Sequence, residues 1–267
     1  MKISEIVRRI AENVDFYSLI NYKCDGWLHN KSLGGRKCTG IVSAWMVDTA
    51  CVLDAAAGNA NFIISHESLF FNKSGYLYDT EKEIETEDKE LNKTMRGLLD
   101  ENGIAVHRFH DGVDILPRYG VVDSLIAKLE LTADEGGNKI LKTCTTAPTT
   151  VEELARRCRR MLGAGSCVIS GDPGRIARKI GISAGAFAWV PTIDILHAQK
   201  VDVILAGEAR DTDGRVYATR LGMPVIELGH FETEEPGIRN FTEYVAGLFP
   251  DLTVRYRPSE PFTRHTV

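Results

Sequence analysis

Long apolar runs are missing from this sequence, and their absence excludes one class of protein at the outset. No stretch approaches the ~18 uninterrupted apolar residues of a membrane span, so we expect no membrane partner. The first ten residues, MKISEIVRRI, favour an amphipathic helix over the apolar segment of a signal peptide. Both features predict a cytoplasmic protein.

Cysteine is scarce, and positive charge does not dominate. The six cysteines form no Cys-x-x-Cys pair and match no zinc-finger spacing, so we expect free thiols, several of them buried. With 32 basic against 37 acidic residues the net charge is −5, which makes nucleic acid an unlikely partner. The acidic run 81–90 predicts a solvated loop leading into a helix.

Nucleotide-binding motifs are also missing. There is no Walker A motif, and no Gly-x-Gly-x-x-Gly follows the first predicted strand. A metal-free, Rossmann-like nucleotide binder is therefore the least favoured of the functions considered.

What is present indicates an α/β protein. The 267 residues are 43% apolar and 26% charged, as in an ordinary globular protein with a substantial core. Short β-rich runs alternate with helical patterns, which predicts mostly parallel sheets. The predicted strands are 39–47, 61–65, 104–109, 166–170, 179–183, 201–205, 223–228 and 252–256. The predicted helices are 50–58, 88–102, 151–162 and a last one from about 236 to 248.

Histidines and carboxylates follow three of these strands. In open α/β sheets ligands bind beyond the carboxyl ends of strands, so residues at those positions are candidates. They are His66, Glu67, His110, Asp114, His230 and Glu234. Imidazole with carboxylate suits zinc, manganese, iron or nickel, or a dinuclear centre with a bridging carboxylate. Pro236 predicts the first turn of a helix with Thr233 or Glu234 near its N-cap, and His230 would end the preceding strand.

Each candidate also has a plainer interpretation. His66 could donate to a backbone carbonyl at the strand end, and Glu234 could complement the dipole of a helix first turn. His110 and Asp114 could belong to a turn, since Asp111-Gly112 is a strong turn signal. Their shared position at strand ends favours a common site over these separate alternatives.

Several segments resemble motifs of the NIF-three-like family, also known as GTP cyclohydrolase 1 type 2 homologues. Residues 61–71, NFIISHESLFF, are similar to its strand-end His-His-Pro motif, and 107–114, HRFHDGVD, to its His-x-x-x-Asp segment. Ala206-Gly207-Glu208 is similar to its TGE, and 229–234, GHFETE, to its closing GHxxTE. Glu67 stands where most members have a second histidine. Glu67 and residues 108–111, RFHD, together resemble a branch of the family that carries His-Glu-Pro at the first of these motifs.

The resemblance implies two similar, interlinked α/β domains with a dinuclear metal site at their junction. We expect one domain to comprise residues 1–115 plus 225–267 and the other residues 116–224. The resemblance implies two divalent ions per chain, which could be zinc, manganese, iron, nickel or magnesium. The implied ligands are His66, Glu67, Asp114, His230 and Glu234. An anionic oxygen from Glu67 in place of an imidazole favours the harder ions. The resemblance also implies a homo-oligomer, a toroidal hexamer.

The implied function is that of a metal-dependent hydrolase similar to GTP cyclohydrolase 1 type 2. It would activate a metal-bound water on a small phosphorylated or heterocyclic substrate. Glu67 is then a candidate general base and His110 a candidate proton shuttle. The alternative is a non-catalytic, ring-shaped scaffold that binds metal or regulates a partner.

Overall fold

The computed structural model describes residues 1–14, 24–71, 90–136, 139–209 and 211–259, without the side chains of 211 and 212. Most of the acidic run 81–90 lies outside these ranges. The chain divides into two compact units, the first of Met1–Tyr119 with Ile238–Glu260 and the second of Gly120–Gly237. Each unit has its own sheet.

The first unit is built on a five-stranded sheet of order β1-β4-β3-β2-β11. Its strands are β1 (Gly26–His29), β2 (Ile41–Ala44), β3 (Phe62–Ser65), β4 (Ala105–Arg108) and β11 (Val254–Tyr256). Its helices are α1 (Ile3–Ala11), α2 (Thr49–Ala57), α3 (Glu90–Glu101) and α4 (Asp111–Asp114), with a 3-10 turn at Lys31–Gly35. All pairings are parallel except that of β1 with β4. Every residue of β2, β3 and β4 is buried, as expected of central parallel strands covered on both faces.

The second unit has a six-stranded sheet of order β5-β6-β8-β9-β10-β7. Its strands are β5 (Thr132–Ala133), β6 (Thr143–Thr150), β7 (Val168–Ser170), β8 (Ile176–Ser183), β9 (Val203–Ala206) and β10 (Val225–Glu227). Its helices are α5 (Val121–Lys128), α6 (Val151–Leu162), α7 (Val190–Ala198) and α8 (Val216–Arg220), with a π-helical turn at Asp211–Arg215. The last helix, α9 (His230–Leu248), crosses the boundary between the units after Gly237. β8, β9 and β10 run parallel, so their carboxyl ends share one edge.

The predicted α/β class is confirmed, and local sequence signals account for several elements. Five of the nine strand pairings among the described residues are parallel. α6 has the predicted bounds because Thr150 and Glu153 form a capping box and Gly163, with φ 68°, ends the helix. The six cysteines are free, and all but Cys167 are buried, as expected.

The predicted start of the last helix is wrong. α9 begins at His230 rather than near 236, and Pro236 lies inside it. The backbone turns at Gly229, whose φ is 104°, and the N–H of Thr233 already donates to the Gly229 carbonyl at 3.2 Å. His230 therefore opens the helix instead of ending a strand, and Glu234 lies one turn further along the same face.

No helix in the described part of the chain has the length and apolar character needed to cross a membrane. Among the described residues, one cluster of buried apolar side chains packs against β2, β3 and β4 in the first unit, and another packs against β8 and β9 in the second.

Candidate metal centre

In the first unit, two neighbouring strands deliver the candidate side chains to one sheet edge. His66 and Glu67 directly follow β3, and their N–H groups donate to the carbonyls of Ala44 at 3.1 Å and Trp45 at 2.7 Å. These bonds continue the ladder beyond β2 and fix the backbone of both residues. The side chains are 1% and 2% exposed, respectively.

The next strand contributes His110 and Asp114. His110 follows β4 by two residues, and the one-turn helix α4 brings Asp114 back towards it, because the Asp114 N–H donates to the His110 carbonyl at 3.0 Å. The predicted turn at Asp111-Gly112 is thus a short helix. It places a carboxylate one helical turn from the imidazole.

The four side chains converge. His66 Nε2 lies 3.6 Å from Asp114 Oδ1, and His110 Nε2 lies 3.8 Å from Glu67 Oε1. The two imidazole rings stack with centroids 4.4 Å apart and an interplanar angle of 8°. His66, Glu67 and His110 each offer a ligand atom, and these atoms lie within 4.8 Å of one another. Ligand atoms this close together can all bind the same metal ion.

The electrostatics of this cluster favour positive charge. Burial acts to lower the pKa of His110, but the carboxylates of Asp114, Asp111 and Glu67 outweigh it and hold the pKa well above its usual value. The same field that retains a proton on the imidazole would attract a divalent cation. Imidazole and carboxylate ligands suit such an ion, so the donor set fits a metal.

Two residues missed by sequence reasoning, Cys24 and Asp25, support His110 and Asp111. The Cys24 N–H donates to Asp111 Oδ2 at 2.8 Å, and the His110 N–H donates to Asp25 Oδ1. Burial raises the pKa of Asp25, and it raises the pKa of the Cys24 thiol to about 12. No spacing rule could have found these residues, because they lie 84 or more residues from the groups that they contact.

In the second unit, α9 carries the other candidate pair. His230 Nε2 and Glu234 Oε1 lie 3.2 Å apart, and Glu234 is 4% exposed. Gly185, just beyond β8, packs against them: a Cβ at that position would stand 2.0 Å from Glu234 Oε1 and 3.1 Å from His230 Nε2. Since its φ is also +63°, only glycine fits there without strain.

Thr233, which the sequence suggested only as a helix N-cap, connects these elements. Its hydroxyl accepts a bond from the Gly185 N–H at 3.1 Å and lies 2.9 Å from the carbonyl of Gly229, to which it can donate. The side chain is fully buried. A threonine inside the GHFETE segment was the only available signal, and it says nothing about a partner 48 residues away.

The structure thus brings the predicted residues together in two groups. His66, Glu67, His110 and Asp114 form a cluster in the first unit, and His230 and Glu234 form a pair in the second. Glu208, in the Ala-Gly-Glu segment after β9, is anchored by its N–H, which donates to the Gly185 carbonyl at 2.8 Å.

Comparison with known proteins extends the resemblance seen in the motifs. Solved structures with a similar fold include the protein ybgI, of unknown function (TM-score 0.79, 21% identity, 98% of this chain and 100% of that one). A Bacillus cereus protein related to NIF3 matches with a TM-score of 0.76 at 14% identity over 100% and 99% of the two chains. Reduced HcgD from Methanocaldococcus jannaschii matches with 0.70 at 18% identity over 97% and 98%.

None of the curated proteins matches the chain. The model of the family Duf34/NIF3 (NGG1p interacting factor 3) matches residues 1–261, which includes every candidate ligand. The chain therefore belongs to the Duf34/NIF3 family.

Proposed function

We propose that this protein binds a pair of divalent metal ions and uses them to hydrolyse a small phosphorylated or heterocyclic substrate. The proposed ligands, carried over from the family resemblance, are His66, Glu67, Asp114, His230 and Glu234. The observation that supports the proposal most strongly is the cluster of His66, Glu67 and His110 at the carboxyl ends of β3 and β4.

Burial makes this cluster hard to explain without a cation. A carboxylate that is 2% exposed, as Glu67 is, loses its hydration and needs positive charge nearby, of which the protonated His110 imidazole at 3.8 Å supplies one unit. Within the first unit, Asp111 and Asp114 add two further carboxyl groups around His110. A divalent ion would balance this negative charge.

The chemistry follows from the residues present. When bound, a pair of divalent ions lowers the pKa of a water towards ~7 and stabilises an oxyanion. Glu67 supplies a buried carboxylate that can take a proton if it is not itself a ligand. His110 lies between Glu67 at 3.8 Å and Asp114 at 3.4 Å, so its two ring nitrogens can pass a proton outward.

Metal content is the first measurement to make. We expect about two ions per chain by plasma mass spectrometry, on protein purified without chelator or histidine tag. The double variant Asp114→Asn/Glu234→Gln should lose them, whereas Glu152→Gln, which changes an exposed surface carboxylate, should not. Protein without metal that cannot be reconstituted would contradict the proposal.

Measuring turnover distinguishes the proposed hydrolase from a non-catalytic metal-binding scaffold. A screen of phosphoesters and cyclic amidines with the loaded protein should reveal a metal-dependent activity. In Glu67→Gln that has been reloaded to the metal content of the wild type, that activity should fall by about 10²–10⁴-fold. Unchanged turnover would remove Glu67 from the mechanism. Metal binding without any turnover would favour the non-catalytic scaffold.

The assembly is part of the same proposal. We infer a homo-oligomer, a hexameric ring, from the family resemblance. Native mass spectrometry of the wild-type chain would test this, and a monomer at micromolar concentration would contradict it.

A further inference from the structure

We propose a further cation site in the first unit, formed by Cys24, His110 and Asp111, which binds a thiophilic divalent ion such as zinc or cobalt. None of the three is among the five ligands proposed above. The site would lie beside that cluster and share the imidazole of His110 with it.

The geometry carries this inference. One ligand atom from each of Cys24, His110 and Asp111 lies within 4.8 Å of the others. His110 Nδ1 is 3.2 Å from Asp111 Oδ1 and 3.4 Å from Asp114 Oδ2, whereas its Nε2 lies 3.8 Å from Glu67 Oε1. The two ring nitrogens therefore face different partners, and a cation held at Nδ1 leaves Nε2 directed towards Glu67.

The site is held in place by its surroundings. Arg108 Nε donates to the Cys24 carbonyl, and the Cys24 N–H donates to Asp111 Oδ2. Asp25 accepts from the His110 N–H. Three bonds thus fix the backbone on both sides of the site, although Cys24 and His110 come from distant parts of the chain. Such support orients metal ligands and raises affinity.

Charge also favours a cation at this position. The carboxyl groups of Asp25, Asp111 and Asp114 surround His110, and the guanidinium of Arg108 opposes them. Asp25 Oδ2 is buried, and among the described residues it has no hydrogen-bond partner. A cation held beside His110 and Asp111 would give this oxygen a partner.

The mixed donor set selects the ion. Sulfur, imidazole and carboxylate together suit zinc and cobalt far better than magnesium or calcium. On binding, the Cys24 thiol and the His110 imidazolium each lose a proton to solvent, and Sγ and Nδ1 donate the freed electron pairs to the ion. The ion would occupy Nδ1 and leave the proton on Nε2, towards Glu67, so His110 could not relay a proton to Asp114 while this site is loaded.

Cobalt titration tests the site directly. Cobalt(II) titrated into the wild-type protein until this site and the proposed dinuclear centre are both saturated should produce a sulfur-to-cobalt charge-transfer band in the near ultraviolet. Cys24→Ser should abolish the band, and Cys38→Ser, which changes another buried cysteine of the same unit, should retain it. A band that survives Cys24→Ser, or that is absent from the wild type, overturns the proposal.

Two further measurements separate this site from the proposed dinuclear centre. Glu234→Gln should lower total metal content but leave the cobalt–sulfur band unchanged. The two readouts therefore show separately whether each proposed site binds metal. X-ray absorption of the zinc-loaded wild type needs no variant, and it should show a sulfur neighbour at about 2.3 Å. A zinc environment of nitrogen and oxygen alone would refute the site even if Cys24→Ser fails to fold.

Discussion

Acid stability of the first unit should depend on one buried histidine, His107 on β4. Its side chain is 6% exposed. The ring packs edge-on against Trp27, with centroids 5.1 Å apart, and at a tilt of 35° against Phe109, with centroids 4.4 Å apart. Its Nδ1 has no hydrogen-bond partner among the described residues. Burial lowers the pKa of His107 from 6.5 to about 3. The folded protein therefore keeps this imidazole neutral.

The sign and size of the effect follow by linkage. Below about pH 6.5 the unfolded chain binds a proton at His107 that the folded chain does not bind, so acid favours unfolding. The contribution of this group to stability is complete above that pH and is lost progressively as the pH falls towards 3. At about 1.36 kcal/mol per pKa unit, lowering the pH from about 7.5 to 5 should cost about 2 kcal/mol.

Urea unfolding of the wild type and His107→Phe at several pH values would measure this term. The phenylalanine keeps an aromatic ring against Trp27 but cannot take a proton, so the variant should lack about 2 kcal/mol of the pH dependence. His197→Gln removes an exposed histidine and controls for the loss of one imidazole. Its free energy of unfolding should fall at acid pH as steeply as that of the wild type. If the free energies of unfolding of the wild type and His107→Phe change with pH by the same amount, to within about 0.5 kcal/mol, the reasoning is refuted.

Three further predictions concern the second unit. Thr233→Val should destabilise by about 1–3 kcal/mol because it leaves the buried Gly185 N–H unpaired, while Thr233→Ser should recover most of the loss in urea unfolding. Gly185→Ala should displace the Glu234 carboxylate and reduce bound metal, as mass spectrometry would show; unchanged metal would contradict the close approach seen here. Thr150→Ala should cost about 0.5–2 kcal/mol through the lost cap of α6, and an unchanged urea midpoint would show that the cap contributes nothing.

Sequence patterns predicted the elements whose signals are local. α6 could be predicted residue by residue because its cap, its amphipathic face and its terminal glycine all lie within about 14 positions. The buried strands β3 and β4 were equally evident as short apolar runs bounded by turn signals. Since ligand positions in α/β folds follow strand ends, His66, Glu67, His110 and Asp114 could be named in advance.

The start of α9 shows where such reasoning fails. Pro236 favours a helix that begins beside it, because proline lacks the N–H that a helix interior needs. In the folded chain the buried hydroxyl of Thr233 bonds the turn at Gly185, and the backbone at Gly229 opens the helix at His230. A tertiary contact spanning 48 residues outweighs the local preference of one proline.

The sequence by itself determined the α/β class, the strand ends that carry ligands, and the family. Only the tertiary structure decided that Cys24 and Asp25 support His110, that three carboxyl groups raise its pKa, and that Thr233 fastens Gly185 to α9. The physical reason is the range of the interactions. Periodicity and capping act over a few residues, whereas burial, charge and close backbone approach depend on groups that only folding brings together.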